Sequence, residues 1–160
     1  MGGMLATDWL AESDSAEPPG AHGQAVVHGI VEFVGDDRWN TVDGQPPADR
    51  GGGRIYRVAR IRVLDTVAGP VASETLEVAV DGGSVGNVFH VPGYGAAEFF
   101  PGDEVVVFLA AAADAGFRSS WYVESNWVVD PESRIATAQY RNEAPLSLPD
   151  LLARARTAID

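Results

Sequence analysis

The chain has 160 residues and a formal net charge of −12, from 23 acidic and 11 basic side chains, and every basic residue is arginine. Nucleic acids and anionic membrane surfaces bind clustered positive charge, so this acidity argues against both as partners. The absence of cysteine excludes thiol catalysis, thiolate metal sites and a disulfide framework. A chain of this length suits one domain with a hydrophobic core of its own.

The composition divides the chain into a short N-terminal segment and one domain. Residues 1–24 are rich in Gly, Ser, Asp, Glu and Pro, which predicts a flexible lead-in. Residues 25–160 carry the alternating apolar patterns of a single folded domain. The chain has no run of about 18 apolar residues, so no membrane insertion is expected. No basic segment followed by an apolar one opens the chain, so no signal peptide is visible and the compartment stays open.

Most of the domain alternates apolar and polar residues with the period of a β-strand. The segments with this pattern are 25–34, 55–69, 75–80, 87–91, 121–129 and 134–140. The longest of them is predicted to be the central strand, with the segments before and after it as its neighbours in a curved sheet. Arg60 and Arg62 fall on its solvent-facing side, and an anion-binding stripe is the alternative interpretation. Gly29, in the middle of the first strand, predicts a bend or a bulge.

The segment 104–111 is apolar on both faces, which predicts a strand that is covered on both sides. A C-terminal helix at about 147–159 is predicted to be the outer cover, because apolar residues recur there at helical spacing. These residues are Leu148, Leu151, Leu152, Ala155 and Ile159. Ser147 and Asp150 form an N-terminal capping box. The predicted fold is mainly β: a small OB-like antiparallel β-barrel of five or six main strands, with one C-terminal α-helix packed outside.

The connection 35–53 is too polar and too rich in Gly and Pro for a regular element, so it is predicted to be the extended tip of a hairpin. Loops of this length are usually either functional or disordered. Trp39 lies within it. An exposed tryptophan in a loop often marks recognition, and the alternative is that Trp39 folds back over the barrel mouth as a plug.

The order of strands and connecting motifs resembles that of a known group of domains. The motifs are Gly29-Ile30-Val31, Arg62-Val63-Leu64-Asp65, Leu76-Glu77-Val78 and Phe100-Pro101-Gly102-Asp103-Glu104-Val105. They resemble uncharacterised bacterial OB-like β-barrel domains, often found in exported proteins, and are distantly similar to the netrin-like module, the OB barrel of tissue metalloprotease inhibitors. The resemblance covers roughly residues 25–130 and implies an extracytoplasmic binding or accessory module. The netrin-like cysteines, including the N-terminal one that inhibitors place on zinc, are absent, so neither that mechanism nor any site residue carries over.

One stretch, Gly82-Gly83-Ser84-Val85-Gly86, matches the G-x-S-x-G pattern of serine hydrolases. In those enzymes the serine lies on a turn between a strand and a helix, with an acid and then a histidine later in the chain. Here no helical pattern follows Ser84, and the one later histidine, His90, is too close in sequence. The interpretation is a glycine-rich loop in which the backbone bends, and a small hydrolase using Ser84 stays as the alternative.

The sequence contains two sets of possible metal ligands, an acidic loop and three histidines. The loop after the first strand holds several oxygen-bearing side chains: Asp36, Asp37, Asn40 and Asp43, with Gly44. Calcium binds such groups, but the spacing and the closing glutamate of an EF-hand are missing, so a solvated acidic loop is expected. His22, His28 and His90 show no ligand spacing for zinc, and His28 is expected on a solvent face. The sequence therefore predicts neither a metal nor a cofactor.

The function predicted from these patterns is a non-catalytic binding or accessory module that contacts another protein through its loops. The two loops are 35–53 and 82–95, and the candidate binding residues are Trp39, Asn40, Asp43 and Tyr94. A purely structural envelope domain is a further alternative. A large exposed apolar patch would favour binding, and an evenly charged surface would favour the structural alternative.

Overall fold

The computed structural model describes residues 24–41, 43–48, 53–90, 97–111, 121–139 and 143–159. The strands within them are β1 (Ala25–Val34), β2 (Arg38–Trp39), β3 (Ile55–Ala68), β4 (Thr75–Asp81), β5 (Gly83–Val85), β6 (Val88–His90), β7 (Glu104–Ala111), β8 (Trp121–Val129), β9 (Ile135–Ala138) and β10 (Leu146–Ser147). They are followed by the helix α1 (Leu148–Ile159). Residues 1–23 of the predicted lead-in, 1–24, lie outside the described residues. No helix in the described part of the chain is long and apolar enough to cross a membrane.

Five strands close into a barrel, in the order β1, β3, β4, β8, β7 and back to β1. The long strand β3 lies between β1 and β4 and pairs antiparallel with both, as the sequence predicts for its central strand. The pairs of β7 with β1 and with β8 are antiparallel as well. The pair of β4 and β8 is parallel and, within the described residues, holds two residue pairs, Val78 with Trp121 and Ala79 with Tyr122. The fold is therefore mainly β, a closed five-stranded barrel, and the strand pairs of the barrel are antiparallel, as predicted, except for β4 with β8.

The barrel wall has apolar side chains on both of its faces over β7, as predicted. Val105, Val107 and Leu109 point into the barrel, where they join a buried cluster with residues of β1, β3 and β4. Val106 and Phe108 point outward into a second buried cluster. The alternation of side chains along the strand thus divides one apolar run between two cores.

The helix α1 covers the outer core and packs outside the barrel. Leu148, Leu151 and Ala155 are buried in the same cluster as Phe108 and as Trp127 of β8, and Leu152 packs against it. The backbone amide of Asp150 donates a hydrogen bond of 3.2 Å to the Ser147 hydroxyl, which caps the helix as the sequence predicts. The side chain of Ile159 lies outside the described residues.

A bulge in β1 decides which side chains face outward near the end of that strand. Val31 pairs with Ile61, and Phe33 pairs with Arg60, the residue next to Ile61 on β3. One residue of β1, between Val31 and Phe33, therefore has no partner on β3. This extra residue turns Phe33 out of the barrel, although simple alternation places it on the same face as Val31. A second register shift falls next to Gly29, where an added Cβ would lie 2.5 Å from the carbonyl oxygen of Arg62. The predicted irregularity at Gly29 is confirmed.

Two connections that read as loops contain short strands. Within 35–53, β2 pairs antiparallel with the start of β3, through Arg38 with Tyr56 and Trp39 with Ile55. After β4, the strands β5 and β6 form a two-stranded hairpin that contains the G-x-S-x-G stretch. The strand β6 lies within the segment 87–91 that the sequence pattern predicts. The strands β2 and β5 were not predicted, because a two-residue or three-residue strand holds at most one full alternation.

Candidate functional site

A groove of about 490 Å³ opens on the outer surface of the barrel, beside the loop that follows β1. Its lining combines strand residues and loop residues: Phe33, Val58, Arg60 and Glu77 from the strands, and Gly35, Asp36, Asp37, Arg38, Asp43 and Gly44 from the loop and β2. The helix α1 covers a different part of the wall, around β7, β8 and β9. Within the described residues, this face is not covered by the helix.

The floor of the groove is a row of three side chains on three neighbouring strands. Phe33 on β1 pairs with Arg60 on β3, and Arg60 pairs with Glu77 on β4. The Arg60 guanidinium lies 5.9 Å from the centre of the Phe33 ring and 3.5 Å from the Glu77 carboxylate. Phe33 is 55% exposed, so a large part of its ring is available at the surface. Arg60 and Arg62 are about half exposed and lie near carboxylates, which fits a solvated face better than an anion-binding stripe.

The loop residues that line the groove, called the loop wall below, are held in shape by hydrogen bonds to Asp43. The Asp43 carboxylate accepts bonds from the Gln45 amide at 3.0 Å and from the Thr41 hydroxyl at 3.2 Å. The bond from the Gln45 backbone, together with that from Thr41, lowers the pKa of Asp43 below its usual value. Asp43 is therefore ionised at neutral pH, and it presents a fixed negative charge to the groove.

A second set of contacts, made by Asp37, connects the loop after β1 (the groove loop) to the β5–β6 hairpin. One Asp37 carboxylate oxygen accepts a 2.8 Å hydrogen bond from the Ser84 amide, and the other lies 3.8 Å from the Arg57 guanidinium. Arg57 also donates to the carbonyl oxygens of Ala97, at 2.7 Å, and Gly82, at 3.4 Å. The arginine that interrupts the apolar set of β3 thus joins three segments around one end of the barrel.

Trp39 is buried at 2% exposure, so the interpretation as an exposed recognition residue is wrong and the plug interpretation fits. An added Cβ on Gly53 would lie 2.7 Å from the indole ring and 2.7 Å from Pro47, which shows how closely the far end of the loop packs over the ring. On the neighbouring residue, the Arg38 guanidinium lies 5.7 Å above the Tyr56 ring. The tryptophan therefore anchors the loop whose other side forms the groove.

The other candidate binding residues are divided by the structure. Asp43 lines the groove. Asn40 is half-buried, and its backbone amide bonds to the Arg54 carbonyl oxygen at 2.8 Å, beside the groove rather than in its lining. Tyr94 lies outside the described residues. Sequence reasoning missed Phe33 and Glu77, because the bulge that turns Phe33 outward leaves no mark in the pattern.

Ser84 lies in the first strand of the hairpin, and a strand rather than a helix follows it. The glycines of the motif are used for backbone geometry, since Gly82, Gly83 and Gly86 have φ values of 96°, 136° and 59°. A side chain at Gly83 would meet the Asp37 carboxylate at 2.6 Å. The strand–turn–helix context of a nucleophilic serine is thus not found in the described residues around Ser84.

The loop carboxylates do not converge as metal ligands. No group of three or more His, Asp or Glu side chains with metal-site geometry occurs within the described ranges. Asp37 and Asp43 are engaged with backbone amides instead. His28 is not on a solvent face: it is 12% exposed, and its Nε2 lies 2.6 Å from the carboxylate of Glu104.

No family model matches the chain, and no significant similarity is found to a curated protein or to a solved structure.

Proposed function

We propose that this domain is a non-catalytic binding module that holds a segment of another protein in the groove beside β3 and β4. The observation that carries the proposal is the half-exposed Phe33 ring on the groove floor. Aromatic side chains with open faces are the residues that most often anchor protein contacts. The bulge in β1 keeps this ring out of the barrel core, where simple alternation would have buried it.

The position of the groove supports the same function. OB-like barrels bind their ligands on the face of the second and third barrel strands and on the adjoining loops. In this chain those strands are β3 and β4, and the adjoining loop is the one that supplies Asp36 and Asp43 to the lining. Likeness of fold supports this location for the binding site, and the side chains of the lining support its function.

The two alternatives have less support. A hydrolase would need Ser84 on a sharp turn between a strand and a helix, with a base within hydrogen-bond distance. Ser84 instead lies in a hairpin, and its backbone amide donates a hydrogen bond to the Asp37 carboxylate. A purely structural domain gives no reason for an open groove with an exposed aromatic floor.

The test places a photoreactive benzoylphenylalanine at Phe33 in the full chain, in the cells that produce it. Phe100 is a matched control, because it is a phenylalanine of nearly equal exposure, 58%, and is not in the groove lining. We expect a discrete protein adduct from position 33 and none from position 100. Phe33→Ser should weaken the capture of the same partner about tenfold, the size typical of an interface anchor. Equal adducts at both positions, or none at either, would contradict the proposal.

A further inference from the structure

The lining of the groove has an excess of negative charge. Four carboxylates line it, from Asp36, Asp37, Asp43 and Glu77, against the guanidiniums of Arg38 and Arg60. These charges do not all cancel in pairs. Asp37 faces Arg57 at 3.8 Å and Glu77 faces Arg60 at 3.5 Å. Asp36 and Asp43 are left on the loop side of the groove together with Arg38, and the Phe33 ring lies on its floor.

Asp36 is the most available of these groups. It is exposed, and it makes no hydrogen bond or ion pair with any residue in the described part of the chain. Asp43 accepts hydrogen bonds from neutral donors of its own loop, which fix its position without neutralising its charge. Asp36 and Asp43 thus form no ion pair within the described residues, and they outnumber the one remaining guanidinium of the lining, that of Arg38. A cation brought into the groove would meet this net negative charge.

The groove floor already shows how a cation is accommodated here. The Arg60 guanidinium lies between an aromatic face and a carboxylate, at 5.9 Å from the Phe33 ring centre and 3.5 Å from Glu77. Cations are attracted to the face of an aromatic ring, and a guanidinium also stacks on it. The other part of the Phe33 ring and the neighbouring Val58 offer apolar surface to an uncharged side chain.

The backbone of β3 is not open to a ligand in the floor of the groove. At the row of Phe33, Arg60 and Glu77, the central strand β3 is paired on both sides, with β1 and with β4. A ligand strand cannot pair with β3 by main-chain hydrogen bonds, as it does at a free edge. Recognition above β3 therefore comes from side chains, and the side-chain chemistry of the lining defines the ligand.

We propose that the groove binds an extended peptide segment in which an arginine or lysine stands next to an apolar residue. The basic side chain lies against Asp36 and Asp43, and the apolar side chain lies on Phe33 and Val58. This inference rests on the proposed function and names the chemistry of the bound segment. Phosphate-bearing ligands such as single-stranded DNA are repelled by the same carboxylates, which is why a basic peptide fits better.

The test selects a library of short random peptides on the immobilised full chain, in parallel with Phe33→Ser, Asp36→Asn and Glu132→Gln. Glu132 is the matched control, since it is an exposed acid in the β8–β9 turn and is not in the groove lining. We expect the chain and Glu132→Gln to enrich peptides with a basic residue beside an apolar one. A synthetic enriched peptide, followed by fluorescence anisotropy, should bind about fivefold more weakly to Asp36→Asn. Its binding should also weaken as salt is raised.

The other outcomes separate this inference from the proposed function. Enrichment of neutral or acidic peptides that Phe33→Ser abolishes would overturn the charge preference and leave the groove as a protein-binding site. Basic peptides that bind equally to Asp36→Asn and Glu132→Gln would reveal attraction to overall acidity, which overturns the inference. Saturable binding of a labelled DNA oligonucleotide or an oligosaccharide that depends on Phe33 would overturn both proposals. Proteins that melt at the same temperature by circular dichroism confirm that the variants are folded.

Discussion

At the scale of the single residue, Trp39 is the side chain with the largest structural role in the groove loop. It is among the largest fully buried side chains, although it lies in a segment rich in Gly, Pro and Asp. Its backbone pairs with Ile55 at the start of β3, which fixes the loop to the barrel at one point. The loop wall of the groove therefore depends on an indole ring that is buried and is not part of the groove lining.

Replacing Trp39 with alanine should remove this anchor. We expect Trp39→Ala to lower the free energy of unfolding by about 3–5 kcal/mol, the range for large-to-small changes of buried aromatic residues. Urea unfolding followed by circular dichroism measures it. Phe89→Ala is the control, since Phe89 is 76% exposed, and its effect should stay within about 0.5 kcal/mol. Equal stabilities of the two variants would show that Trp39 is not a packing residue.

A second residue of note is Glu104, which joins β7 to two other segments. Its carboxylate oxygens lie 2.6 and 2.7 Å from the two terminal nitrogens of Arg134, and one also lies 2.6 Å from Nε2 of His28. Arg134 has a φ of 59°, and its carbonyl oxygen accepts a bond from the amide of Leu148, the first residue of α1. The hydrogen bonds from Arg134, followed by the bond from His28, lower the pKa of Glu104 below its usual value.

This lowered pKa predicts a pH dependence of stability with a defined sign. As pH falls below the ordinary glutamate value of about 4.3, the unfolded chain takes up the proton first, so the folded state loses stability. The contribution is fully present above that pH and is lost as pH falls through the lower pKa of the folded state. Urea unfolding from pH 7 to pH 3 should show a smaller loss of stability for Glu104→Gln than for the unchanged chain. An unaltered pH dependence would contradict the assignment, and Glu132→Gln serves as the control variant.

At the scale of the element, α1 is the helix that converts an apolar barrel wall into a buried core. Leu151 is fully buried between the helix and the outer face of β7 and β8. Arg156 of the helix lies 3.0 Å from Asp65 of β3, an exposed ion pair that adds little stability by itself. The apolar contacts, rather than this ion pair, therefore hold the helix on the barrel.

The helix contact is tested by Leu151→Ala. We expect a loss of about 2–5 kcal/mol in the free energy of unfolding, because a leucine removed from a packed core leaves a cavity. Leu64→Ala removes the same atoms from a strand position that is 47% exposed, and it should have a small effect. Urea denaturation of both variants gives the comparison. A stability loss no larger than that of Leu64→Ala would mean that the helix does not depend on this contact.

At the scale of the whole molecule, the barrel and its helix could be predicted because their signals are long. The strands β1, β3 and β8 each hold several alternations, β7 is a continuous apolar run, and α1 holds about three turns of apolar spacing. The parallel pair of β4 and β8 could not be predicted, since pairing depends on how the chain closes in space and not on the pattern within either strand.

The candidate site was predictable only in part, for physical reasons that differ between residues. Polar composition pointed to the loop that contains Asp43, and this residue does line the groove. The position of Phe33 on the groove floor could not be predicted, because one extra residue in β1 turns this side chain from the core to the surface. Trp39 gave the opposite error: polar neighbours in sequence suggested exposure, whereas the loop folds back and covers the ring.

The short parallel contact between β4 and β8 has a consequence for the motion of the barrel. Within the described residues this contact, the seam of the barrel, holds two residue pairs, the fewest of any strand contact in the barrel, so the fewest main-chain hydrogen bonds must break there for neighbouring strands to separate. The barrel is therefore expected to breathe there first. Glu77 immediately precedes the seam and also lies in the groove. A ligand that immobilises Glu77 would therefore keep β4 paired with β8. Ligand binding in the groove would then shift the equilibrium of the barrel towards the state in which the seam is closed.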